Sequence, residues 1–162
     1  MPNGIHCYPP PPFIVKIILF QPQIPQNTGN IVRTCAVTGS SLTLVAPLGF
    51  SISDRWLKRA GLDYWEGVQV DVVDSLETLL KQAPGQFYFF SSKAENLYTE
   101  KKYKKEDWLI FGSEVSGLPE KIVKQWPEQC VKVPMIESAR CLNLATTVGI
   151  AVYEALRQQK EL

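Results

Sequence analysis

Histidine is almost missing from this chain: its 162 residues contain one, His6, in a proline-rich opening stretch. A Ser-His or Cys-His pair would have to recruit that residue, which sets nucleophilic hydrolase chemistry aside. The four cysteines, Cys7, Cys35, Cys130 and Cys141, are scattered with no C-x-x-C pair. They read as reduced thiols within helices and strands, so neither a metal site nor a disulfide framework is expected. No apolar run approaches the roughly 20 residues of a membrane helix, and no charged region followed by an apolar one opens the chain. A soluble, cytoplasmic protein with no membrane partner is the expectation. The net charge of +1 lacks the excess by which a whole surface grips nucleic acid, leaving only local clusters. Also missing are G-x-G-x-x-G after the first strand and G-x-x-x-x-G-K-[ST] anywhere, so a dinucleotide oxidoreductase has no phosphate loop.

What is present is a chain of one-domain length with 45% hydrophobic content, enough to bury a core. Residues 1–12 carry a proline run without periodicity and read as a disordered tail, leaving 13–162 as a single domain. Short apolar runs predict six strands, at 13–20 (FIVKIILF), 42–46, 68–73, 87–90, 108–111 and 131–133. Between them lie helix patterns. Two prolines, Pro22 and Pro25, hold a loop open before IVRTCAV, which Asn27 or Thr28 can cap and Gly39 ends. Residues 54–60 (DRWLKRA) form a short basic helix closed by Gly61, and Asp74 with Glu77 resembles a capping box for SLETLLKQ. EKIVKQW and a long amphipathic segment starting near Asn143 complete the set. Strands alternating with helices predict an α/β domain, a mainly parallel six-stranded sheet with helices on both faces.

The late stretch 109–148 organises this pattern. A strand runs into Gly112, whose loop also holds Gly117, and a second strand is stopped by Pro134. Glycines there let backbone approach a ligand. Two loops then leave neighbouring strand ends, where open α/β sheets bind ligands. Taken alone, Asn27 reads as a helix cap and Arg33 as a surface charge. Arg55, Lys58 and Arg59, at helical spacing, and the run Lys101, Lys102, Lys104 and Lys105 read as solvated faces before they read as phosphate contacts.

Together the residues say more. NTGNIVR at 27–33, GSEVSGLP at 112–119, and VPM at 133–135 with RCLNL at 140–144 resemble, in order and spacing, the three motifs of the SPOUT class of RNA 2′-O-ribose methyltransferases. RAGLDYWE at 59–66 resembles the shortest branch, which acts on cytidine or uridine 34 of tRNA. The likeness covers nearly everything outside the tail. It implies a C-terminal trefoil knot, a fold sequence physics would not predict. It also implies S-adenosylmethionine as methyl donor, S-adenosylhomocysteine as product, the tRNA anticodon loop as substrate and a homodimer sharing its active sites.

By this resemblance Phe90, Gly112, Val133, Cys141 and Leu142 hold the cofactor, with Glu114 close to the reacting end. Arg33 lies nearest the ribose. A guanidinium with a pKa above about 12 is better suited to binding the adjoining phosphate and stabilising the alkoxide than to acting as a base. Asn27 orients Arg33 or the ribose, and Asn143 supports the same loop. Arg33, Arg55, Lys58, Arg59 and Tyr153 are the implied RNA contacts, although Tyr153 also reads as a buried aromatic. Three positions depart from the family: Cys141 and Ala145 stand where serines are usual, and Ser116 where many relatives carry a basic residue. Alternatives are 2′-O-methylation of another tRNA or rRNA ribose, or a cofactor- or RNA-binding module without activity.

Overall fold

A computed structural model of the protein describes residues 15–53 and 67–160. Seven strands lie within them: β1 Lys16–Phe20, β2 Ser41–Val45, β3 Val70–Val73, β4 Phe87–Phe90, β5 Asn96–Leu97, β6 Trp108–Phe111 and β7 Cys130–Lys132. They form one parallel sheet in the order β3-β2-β1-β6-β4-β7-β5. The sheet therefore has seven strands rather than six. The unpredicted strand, β5, is two residues of a polar stretch paired to β7, too short to show alternation.

Each face of β1 meets a different helix layer. Ile17 and Leu19, with Leu42, Leu109 and Phe111, pack against α1 (Pro25–Thr38) and α4 (Leu144–Lys160). Ile18, with Phe89 and Ile110, packs against α2 (Leu76–Lys81) and α3 (Glu120–Gln125). A strand covered on both faces needs the unbroken apolar run that this one has. Burying each such side chain stabilises the fold by about 1.5–3 kcal/mol.

Helix starts differ from expectation. Pro25 is not in the loop but opens α1, after Ile24, which makes no side-chain cap, so Asn27 lies inside the first turn. Proline suits that position because its missing N–H would be unpaired there. Gly39 does end the helix, at φ 74° with its N–H donating to the Cys35 carbonyl. Ser75 rather than Asp74 caps α2, accepting from Thr78 N–H at 3.2 Å. The 1–12 tail with His6 and Cys7, the start of the 13–20 strand, the 54–60 helix and the RAGLDYWE motif lie outside the described residues.

Candidate active site

A cavity of about 770 Å³ opens at the C-terminal ends of β4, β6 and β7. Phe90 and Phe111 lie at its base, their rings stacked at 4.6 Å. Leaving β6, the chain turns back at once. Ser113 and Gly117 exchange backbone hydrogen bonds, the Gly117 N–H donating at 2.8 Å, and Gly117 sits at φ 67°. A Cβ on Gly112 would run into the Gly117 carbonyl carbon and the Leu118 nitrogen. Its missing side chain thus makes room for the loop's own return as well as opening the cavity wall.

All five residues assigned to the cofactor, Phe90, Gly112, Val133, Cys141 and Leu142, line this cavity, as do Asn27, Glu114 and Asn143. The last three are joined in a hydrogen-bonded chain. Glu114 accepts from Gln23 N–H at 2.8 Å, Ile24 N–H at 3.2 Å and the Asn27 amide at 3.1 Å. Asn27 accepts from the Asn143 amide at 2.9 Å, and Asn143 accepts from Thr146 N–H at 3.2 Å, capping α4. The chain has one direction, because Thr146 N–H can only donate and an ionised carboxylate can only accept. From 90 residues away Glu114 takes up the Ile24 N–H, placing a carboxylate at the positive end of the α1 dipole. With three donors on its two oxygens, it ties the loop after β6 to the start of α1.

Arg33 is exposed and does not line the cavity. Six residues beyond Asn27, it is displaced about 9 Å along α1 and about 120° around it. It shares an outer stripe with Gln26, Asn30 and Val37. Tyr153 is likewise 57% exposed on α4, not a buried aromatic. Arg55, Lys58 and Arg59 lie outside the described residues. Of the departures, Ala145 packs against the apolar core, where a hydroxyl would need a partner. Cys141 and Ser116 face the cavity.

Motif reasoning passed over three basic side chains on the cavity wall, Lys93, Lys124 and Arg140. Arg140 alone had a signal, being next to Cys141. Burial pushes the Cys35 thiol up to about 12, and that of Cys130 up as well, so neither offers a reactive thiolate. Among the described residues no cluster of His, Cys, Asp or Glu fits a metal ion, and no helix is long and apolar enough to cross a membrane.

The SpoU rRNA Methylase family matches residues 14–153. A Geobacillus stearothermophilus protein, provisionally named a tRNA (cytidine(34)-2′-O)-methyltransferase, is 48% identical over 149 residues, 90% of this chain and 95% of its own. A structure described under 2-OH methylation of C/U34 on tRNA superposes with a TM-score of 0.88 at 42% identity, covering 93% of this chain and 99% of that one. The fold also matches the SpoU methyltransferase AviRb of Streptomyces viridochromogenes in complex with AdoMet, with a TM-score of 0.77 at 21% identity over 88% of this chain and 57% of that one.

Proposed function

Because this chain belongs to the SpoU rRNA Methylase family, we propose that it methylates the ribose 2′-hydroxyl of nucleotide 34, the wobble position, in tRNA. S-adenosylmethionine supplies the methyl group and leaves as S-adenosylhomocysteine. The observation that carries the reading is the convergence of all three motif segments on one cavity, in a chain 48% identical to a relative named for this reaction. The cavity suits the cofactor in kind: it is within the ligand-pocket range of about 300–1,000 Å³, and it sets apolar side chains such as Phe90, Phe111, Val133 and Leu142 beside polar ones such as Asn27, Glu114 and Asn143.

Phe90, Val133 and Leu142 exclude water from the adenosine part, while the Gly112 loop presents backbone groups to it. Asn27, Glu114 and Asn143 act as positioning residues, tying this cofactor loop to α1. Arg33 holds the phosphate beside the target ribose and stabilises the developing alkoxide. The hydroxyl proton leaves to water or to another acceptor, while Glu114 holds three donors from the α1 entry and Asn27.

Arg33 serves the cavity of a second copy of the chain, making the enzyme a homodimer with shared sites. Its exposed position supports this, as do the exposed apolar side chains lining the cavity, Val115 at 82% and Met135 at 37%. The domain spans 13–162 with its C-terminal segment knotted, residues 1–12 are a tail, and the enzyme works in the cytoplasm. Arg55, Lys58, Arg59 and Tyr153 contact the tRNA.

The test is methyl transfer from labelled cofactor to total tRNA, with the product mapped by mass spectrometry. Modification at nucleotide 34 is expected; modification of another ribose overturns the position, and none overturns the activity. Arg33→Ala is expected to abolish turnover while leaving cofactor affinity nearly intact, and equal loss of both would contradict its role.

A further inference from the structure

The lysine run before β6 is held too firmly for a merely solvated loop. Its backbone is fixed from Lys101 to Lys104. Gln158 donates to the Lys101 carbonyl at 3.0 Å and accepts from Tyr103 N–H at 2.9 Å; the Tyr88 hydroxyl donates to the Lys102 carbonyl at 3.3 Å. Lys104 N–H donates to the Asp107 carboxylate at 2.7 Å. Beneath the loop Tyr103 is buried, its hydroxyl donating to the Tyr98 carbonyl at 2.6 Å.

Of the nearby acids two are ion-paired elsewhere and two are held by backbone N–H groups, with Asp107 close enough to feel the Lys104 charge. Glu100 accepts from Leu97 N–H, Glu106 pairs with Lys16, Asp107 turns inward to two backbone N–H groups, and Glu154 pairs with Arg157. Among the described residues no carboxylate pairs with Lys101, Lys102, Lys104 or Lys105. Lys102, Lys104 and Lys105 are exposed. In a chain of net charge +1, this is a concentrated positive patch on a preset backbone, complementary to a polyanion.

Given the functional reading above, on which this rests, we propose that the loop grips the tRNA phosphate backbone away from the target nucleotide. The loop precedes β6 and the cavity follows it. The four residues of β6 span about 13 Å, so an RNA whose ribose fills the cavity meets these lysines only with a more distant stretch of backbone. The patch therefore contributes to tRNA affinity and takes no part in chemistry.

The test compares wild type with the triple variant Lys102→Gln, Lys104→Gln, Lys105→Gln. With about 0.7–0.9 counterions released per phosphate contact, the slope of log affinity against log salt is expected to fall by about 2. The KM for tRNA is expected to rise about tenfold at physiological salt, with kcat and cofactor affinity unchanged. The corresponding triple arginine variant should restore both slope and KM. An unchanged slope and KM in the glutamine variant would overturn the proposal, as would a fall in kcat at constant KM. Wild type that binds tRNA with the steeper slope but transfers no methyl would instead overturn the functional reading and leave the phosphate contact standing.

Discussion

Asn27 is a small side chain with two obligations, donating to Glu114 and accepting from Asn143. Because these face opposite ways, single substitutions separate them. Asn143→Asp keeps the oxygen that caps α4 at Thr146 but removes the donor to Asn27. It is expected to leave the melting temperature nearly unchanged while weakening cofactor binding, measured by calorimetry. Glu114→Gln replaces an all-accepting carboxylate with a group whose amide nitrogen must face at least one donor, the Gln23 N–H when its oxygen takes the Oε1 place. A loss of about 1–2 kcal/mol in urea unfolding is expected, comparable to removal of a helix cap. Motif spacing brought both residues to notice. The partnership of Asn27 and Glu114 was invisible, because they are 87 positions apart and only the fold makes them neighbours. The same limit explains the reading of Asn27 as a cap: the sequence offered a capable side chain near a helix start, and the carboxylate that holds that start came from another loop.

Turns and helices carry the next set of expectations. Gly112→Ala forces a methyl into the Gly117–Leu118 backbone, so the loop must open and cofactor affinity should collapse. Gly117→Ala meets open space and suffers only the left-handed φ of 67°, a cost of about 1 kcal/mol with binding largely kept. Near the C-terminal end of α4, Arg157 beside Glu154 holds that carboxyl below its ordinary 4.5, aided by Gln158. A depressed carboxylate stabilises the fold at pH values above the unfolded pKa and loses that contribution as acid protonates it. Glu154→Gln should therefore lower thermal stability at pH 7, and the difference from wild type should shrink below about 4.5. Six of the seven strands were legible because each is an apolar run bounded by turn residues. The two-residue β5 was not, since its pairing comes from β7 rather than from any pattern of its own.

At the scale of the whole molecule, the α/β class followed from alternation, whereas the assembly rests on what one chain leaves outward. Mixing subunits tests it. Arg33→Ala keeps an intact cavity and Gly112→Ala an intact arginine, so a mixed dimer has one complete site only if arginine reaches across the interface. Activity is expected to return on co-refolding two inactive parents; persistent inactivity would place Arg33 in its own chain's site. The tie between Asn27 and Asn143 spans 116 positions of a 162-residue chain. During synthesis the Asn27 oxygen must wait for its donor, Asn143, until the last helix has left the ribosome. Competence to hold a methyl donor is thus the final property this protein acquires, and a nascent chain stalled before residue 143 should emerge with much of its sheet but no grip on the cofactor.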